Sequence, residues 1–146
     1  MKFSRESYYG LKILTHMART PGRVSEASDV AAAARVPRAF AAKILQKLAR
    51  AGIVRSHRGR TRGYALIGSA GSVSVREVVE AIDGSDVFRR CVFWTNRCSD
   101  SKPCPLHDLW KQVRPEVASA MSRVTVAELT RGARRSKTYA GAGGRR

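Results

Sequence analysis

One helix-sized segment constrains this chain more than any other. Between Pro37 and Gly52, apolar residues stand at Ala41, Ile44, Leu45 and Leu48. That is the i, i+3, i+4, i+7 spacing of one helix face. Pro37 suits the first helical position, where a missing N–H costs nothing, and Gly52 suits the C-terminal cap. The opposite face carries Arg38, Ala39, Ala42, Lys43, Gln46 and Arg50, with no acid. A helix of this kind needs neighbours to cover its apolar side.

The flanking sequence supplies them. Ser4 is expected to cap a first helix from about Arg5 to Arg19, with Tyr8, Leu11, Leu14 and Ala18 inward. Pro21-Gly22 ends it. Ser25 is expected to cap a short helix to about Ala34, with Ala27, Val30, Ala31 and Ala34 inward. A turn at Arg35-Val36 then joins it to the Pro37 helix, which makes a helix-turn-helix. Ile53–Ser56 and Tyr64–Ile67 read as strands around the turn 57–63, a basic hairpin placed as a wing. Ser74 and Glu77 form a capping box for a fourth helix, with Val75, Val78, Val79 and Ile82 inward and Gly84 at its end.

Charge points the same way. The chain of 146 residues carries a formal net charge of +17. Residues 30–76 hold ten Lys or Arg and no Asp or Glu. A field concentrated on the helix-turn-helix and wing favours a polyanionic partner, nucleic acid before membrane. An α-helix fits the major groove of DNA, and residues near its start reach base edges. Arg38 and Lys43 are therefore candidates for base or phosphate contact, and Ala39 for apolar contact with a thymine methyl. Arg55, Arg58, Arg60 and Arg62 of the wing are candidates for phosphates or a narrow minor groove. No apolar run approaches the roughly 18 residues of a membrane span, and the N-terminus lacks the order of a signal peptide. A cytoplasmic protein is expected.

The second half has a different character. Residues 85–104 show no clean periodicity and read as an irregular loop. A long helix is expected from near Pro105, with Leu106, Leu109, Trp110, Val113, Val117, Ala120 and Val124 as its stripe. Pro115 should cost it a hydrogen bond or bend it. The stripe either packs on its own core or pairs with a second copy, and its width favours the homodimer. A two-fold dimer suits a pseudo-palindromic operator. Thr125 and Glu128 suggest a capping box for one last short turn, and residues 132–146 read as a disordered basic tail.

The loop carries all three cysteines, Cys91, Cys98 and Cys104, with His107 three residues further on. An odd number of clustered cysteines argues against a disulfide framework and for metal or redox chemistry. Thiolates select zinc or iron–sulfur clusters. Cys104 and His107, three apart at a helix start, can face one point. Arg89, Arg90 and Arg97 would add positive field there. Wide, even spacing favours a cluster over zinc, which usually takes two tight ligand pairs. Zinc and a thiol redox sensor stay open on spacing alone. An electron-transfer protein would have no use for the winged-helix half.

The ordered set resembles the winged-helix iron–sulfur regulators of the IscR/NsrR type, the Rrf-type transcriptional regulators. Its carriers are Tyr9-Gly10-Leu11-Lys12, the segments 40–54 and 56–66, the three cysteines, 105–110, and 125–129. The resemblance implies a homodimeric DNA-binding regulator, a repressor and not an enzyme, with no small-molecule substrate. It implies an iron–sulfur cluster on the three cysteines that senses iron, nitric oxide or redox state. His107 matches the ligand position of the cluster-assembly regulators, which favours a 2Fe-2S cluster. The nitric-oxide sensors use an N-terminal acid and a 4Fe-4S cluster, and Tyr8 stands at that position here. Three departures stand out. The first cysteine gap is six residues rather than five, the wing has Arg60-Thr61-Arg62 in place of glycines, and Ala42 replaces a frequent Glu.

The expected fold is mainly α with a small β-hairpin. It has a winged helix-turn-helix domain over 1–84, a cluster loop over 85–104, a dimerisation helix region over 105–131 and the tail over 132–146.

Overall fold

The computed structural model describes residues 3–93 and 97–136, with the backbone alone for 133–136. Six α-helices and one two-stranded antiparallel hairpin follow in order among the described residues: α1 (Arg5–Met17), α2 (Ala27–Ala34), α3 (Arg38–Arg50), β1 (Val54–His57), β2 (Gly63–Leu66), α4 (Val75–Asp83), α5 (His107–Arg123) and α6 (Val126–Ser136). The fold is mainly helical, a winged helix-turn-helix followed by a long helix.

The main core forms where α1, α2, α3 and α4 meet. Ala41, Ile44, Leu45 and Leu48 of α3 are completely buried. Burying each of the three larger side chains contributes about 1.5–3 kcal/mol. Gly52, at φ 73°, turns the chain out of α3, and Ile53 N–H donates to Leu48 O at 3.0 Å to close the helix end. The capping box of α4 is present, with Ser74 Oγ accepting from Glu77 N–H and Glu77 accepting from Ser74 N–H.

Several local expectations shift. The buried face of α1 is Ser7, Gly10, Ile13, Leu14 and Met17, whereas Tyr8 is 59% exposed. Gly10 lets α4 approach closely: a Cβ there would stand 2.2 Å from Ile82 Cδ1. Ser25 does not cap α2. Its N–H and C=O exchange hydrogen bonds with Tyr64 at 3.0 and 2.9 Å, which ties the segment before α2 to the wing. Glu26 takes the cap position without a side-chain bond. Both wing strands lie within one residue of their expected bounds, paired Val54 to Leu66 through His57 to Gly63. Gly63 sits against this junction at φ 147°, where a Cβ would meet Ser25 O at 2.4 Å.

The long helix also differs. Pro115 lies inside α5 without ending it. The inward face holds His107 and Ala118, with Trp110 and Met121 half-buried. Leu106, just before α5, Leu109 and Val113 on it and Val124 just after it are 39%, 57%, 39% and 38% exposed. These four residues of the stripe therefore do not pack on the chain's own core, whereas Trp110 and Val117 are half-buried. Thr125 and Glu128 form their capping box, but α6 runs to Ser136 rather than for one short turn, through part of the expected tail. The remainder of the tail, 137–146, lies outside the described residues.

Candidate functional site

Two surfaces carry chemistry. The first is the outer face of α3 with the wing. The inward stripe of α3 leaves Arg38, Ala39, Ala42, Lys43, Gln46 and Arg50 exposed on one side. Arg55 is exposed on β1, and Arg58, Arg60 and Arg62 are exposed on the turn beyond it. The structure thus gathers every DNA-contact candidate on α3 and the wing.

One partner was not legible in the sequence. Glu26 Oε1 lies 3.5 Å from Arg62 Nε, with side chains 50% and 75% exposed. Such a surface pair is worth about 0–1 kcal/mol, so a phosphate can replace it without a large penalty. Glu26, Ser28, Arg58 and Arg62 line a cleft of about 550 Å³ between α2 and the wing.

Lys47 is the other unforeseen group. It leaves the outer face of α3 and turns inward, where its Nζ bonds Glu6 at 2.5 Å and Ile82 O at 3.1 Å. It ties the recognition helix to the C-terminal end of α4. Ser4 reaches the same end, donating from its N–H at 3.0 Å and from its hydroxyl to the Asp83 carboxylate.

The second surface is the cysteine segment. A short 3-10 turn at Val87–Arg89 buries Val87 and Phe88 against Val75, Val79 and Ala118. Arg90 follows. Its guanidinium donates to Asp83 O at 2.8 Å and to Asp86 at 2.7 Å. The Arg90 bond holds the Asp86 carboxyl below its ordinary pKa, and Asp86 raises that of Arg90. Arg90 is therefore a structural tie as well as a source of positive field. Its carbonyl accepts Trp110 Nε1–H at 3.1 Å, which fixes α5 against the residue before Cys91.

An antiparallel bridge between Arg90 and Arg97 folds the segment back, and Cys98 N–H donates to Arg89 O at 3.0 Å. His107 N–H donates to Cys104 O at 2.9 Å, closing the turn into α5. Within the segment the four expected ligands form two pairs. Cys91 Sγ and Cys104 Sγ are 3.8 Å apart, and Cys98 Sγ and His107 Nδ1 are 3.2 Å apart. Cys91 and His107 are buried, Cys98 and Cys104 half-buried, and none is in a disulfide. Among the described residues, no three His, Cys, Asp or Glu side chains converge as ligands of one metal ion.

Asp100 and Lys111 complete the surroundings. Asp100 Oδ1 lies 2.9 Å from His107 Nε2 and 2.7 Å from Lys111 Nζ. Lys111 first, and His107 second, lower the Asp100 carboxyl to about 2, and Asp100 raises the pKa of Lys111. No motif in the sequence marks this group, because Asp100 belongs to an aperiodic loop.

The donor set fits an iron–sulfur cluster by its chemistry: three soft thiols and one imidazole, buried or half-buried, lie beside a helix start. Such residues can also hold a proton or exchange a disulfide. The α3–wing surface offers cations and an exposed helix, and its chemistry is recognition.

Comparison with known proteins accords with this. The Rrf2 family, described as iron-dependent transcriptional regulators, matches residues 3–132. A candidate HTH-type transcriptional regulator of Mycobacterium tuberculosis is 30% identical over 134 residues, covering 91% of this chain and 83% of that protein. The regulator IscR of an Enterobacter species is 28% identical over 102 residues, 70% of this chain and 62% of that one. Among solved structures, CymR, the global cysteine regulator of B. subtilis, superposes with a TM-score of 0.69 at 21% identity over 89% of this chain and 96% of that one. IscR of T. potens gives 0.68 at 20% identity over 91% and 88%. These structural likenesses concern the fold. No described helix is long and apolar enough to cross a membrane. With its family matched over nearly the whole described chain and its basic helix and wing exposed together, this protein belongs to the Rrf2 family of DNA-binding transcription regulators, which are not enzymes.

Proposed function

We propose that this regulator is a cytoplasmic homodimer, a repressor, whose hold on a pseudo-palindromic double-stranded operator is set by an iron–sulfur cluster on Cys91, Cys98, Cys104 and His107. The carrying observation is the pairing of Cys91 with Cys104 and of Cys98 with His107. Three thiols and one imidazole are donors that would hold a 2Fe-2S cluster. When bound, such a cluster supplies a group sensitive to iron supply, nitric oxide and oxidants.

The chain's own residues connect this site to the DNA-binding face. Arg90 adjoins Cys91 and holds the C-terminal end of α4 through Asp83 O. Lys47 of α3 holds the same end through Ile82 O. A change in the position of the cysteine segment thus reaches the recognition helix through one shared helix end. A coupling of about 1–3 kcal/mol changes DNA affinity roughly 5- to 150-fold. The exposed stripe of Leu106, Leu109, Val113 and Val124 supports a second copy as the partner, since large apolar side chains in line mark an interface.

DNA recognition rests on Arg38, Ala39 and Lys43 of α3, with Arg55, Arg58, Arg60 and Arg62 at phosphates or the minor groove. Replacing Arg58 and Arg60 together by Ala should lower the slope of log affinity against log salt by about 0.9 for each phosphate no longer neutralised. An unchanged slope would remove the wing assignment.

A thiol redox switch is the second reading, and the 3.8 Å approach of Cys91 and Cys104 favours it. Anaerobic purification with iron, sulfide and zinc analysis separates the readings. Equal iron and sulfide, at two of each per chain, with visible absorption and a change in operator affinity on cluster loss is the expected result. Colourless protein with one zinc per chain, or with a Cys91–Cys104 disulfide after oxidation, would overturn the cluster.

A further inference from the structure

We infer that Asp100, anchored by Lys111, is the positioning residue that turns His107 so that Nδ1, and not Nε2, is offered to the cysteine site. The inference rests on the cluster reading above and adds the atom that binds and the group that directs it.

The argument is one of donors and acceptors. His107 is 7% exposed, so its ring nitrogens meet protein rather than bulk water. Nε2 faces Asp100 Oδ1 at 2.9 Å, and Nδ1 faces Cys98 Sγ at 3.2 Å. A neutral imidazole has one N–H and one lone pair, and a carboxylate only accepts. The N–H therefore belongs on Nε2, and the lone pair on Nδ1 points to the Cys98 sulfur. That lone pair is what a metal requires.

Asp100 could not direct a buried ring if it swung freely, because it is an exposed residue of an irregular loop. Lys111 supplies the anchor. It stands one helical turn beyond His107 on α5, and its Nζ lies 2.7 Å from the same Asp100 oxygen. The carboxylate is thus held from α5, the helix that His107 begins. The arrangement is a carboxylate–histidine pair of the kind that orients ligating imidazoles, and loss of such a partner costs about 10- to 100-fold in metal affinity. Neither Asp100 nor Lys111 contributes to the core, so both can be changed without unfolding the chain.

The test uses the full chain, with and without cluster, as wild type, Asp100→Ala, Asp100→Asn and Lys111→Met. In the cluster-free protein, ¹H–¹⁵N spectra should show a slowly exchanging N–H on His107 Nε2. Asp100→Ala should lose it to exchange. Asp100→Asn, which keeps an oxygen acceptor, should retain it. In loaded protein, Asp100→Ala should lower iron affinity against a competing chelator by about 10- to 100-fold, with Lys111→Met between it and wild type. Pulsed electron paramagnetic resonance of the reduced protein carrying ¹⁵Nδ1-histidine should show direct coupling to Nδ1. Unaltered N–H exchange and chelator competition in Asp100→Ala, or coupling to Nε2, would overturn the inference. Operator binding by cluster-free Asp100→Ala checks its fold. Absence of iron from wild type would instead overturn the cluster reading, and the N–H measurement would still decide the orientation of His107.

Discussion

The two halves of the molecule hold their functional residues by different means. The recognition helix α3 is fixed by four completely buried side chains set in a core shared with α1, α2 and α4. The cysteine segment leans on a smaller apolar group of Val75, Val79, Val87, Phe88 and Ala118. Beyond that it is tied by hydrogen bonds from Cys98, Trp110 and Arg114, by the bonds of Arg90 to Asp83 O and Asp86, and by Asp100 with His107 and Lys111. A tight core holds the exposed face of α3 in one shape. Local order that rests on hydrogen bonds and a small apolar group would let the cysteine segment respond to the cluster proposed above.

The sharpest way to break the comparison is to damage each half separately. Leu48→Ala should cost about 2–5 kcal/mol through reduced burial and the cavity left behind. Urea unfolding should show this destabilisation equally in cluster-loaded and cluster-free protein. Cys98→Ser should leave the midpoint of cluster-free protein near wild type and remove cluster loading. A large shift for Cys98→Ser in cluster-free protein would mean that the segment belongs to the main folding unit.

Arg90 joins the halves, so its replacement tests the link rather than either side. Where the proposed coupling gives a ratio of operator affinities between cluster-loaded and cluster-free protein, roughly 5- to 150-fold for a typical coupling, Arg90→Gln should bring it toward unity. Operator titrations of both forms measure it. A preserved ratio would place the coupling elsewhere, for example across the α5 interface.

Helix caps give smaller effects. Ser74→Ala should lower stability by about 1 kcal/mol, because α4 loses the acceptor for Glu77 N–H. The bonds from Ser74 also hold the Glu77 carboxyl below its ordinary pKa, and Thr125 does the same for Glu128. A depressed folded pKa gives stability that is present above the unfolded value and is lost as pH falls through the folded one. The larger cause at Glu77 is the backbone N–H of Ser74, which Ser74→Ala keeps. Acid titration of the wild type should therefore weaken α4 and α6, Glu77→Gln should flatten that part of the curve, and Ser74→Ala should flatten it less. Equal acid sensitivity in the wild type and Glu77→Gln would remove Glu77 from the account.

Legibility varied with the role each residue plays. In α3 every buried position is aliphatic or Ala, so periodicity alone located the inward face. In α1 the buried face includes Ser7 and Gly10, which carry no apolar signal, and the expected stripe was misplaced around Tyr8. The small size of Gly10 matters only because Ile82 of α4 packs on it. Ser25 has the residue type of a helix cap, yet its backbone is taken up by Tyr64 of the wing. Lys47 has the residue type of one more basic surface group, and only α4 supplies the carbonyl that turns it inward.

By itself, the sequence determined the helix-turn-helix, the wing, the capping boxes and the presence of three thiols beside an imidazole. Those features depend on periodicity and on residue types a few positions apart, which follow from helix and turn geometry. Only the tertiary structure decided that Cys91 meets Cys104, that Cys98 meets His107, and that Asp100 and Lys111 stand behind the ring. The cysteine segment has no repeat that sets its path. The Arg90–Arg97 bridge, the start of α5 and the Trp110 hydrogen bond fold it, and these arise when the elements pack.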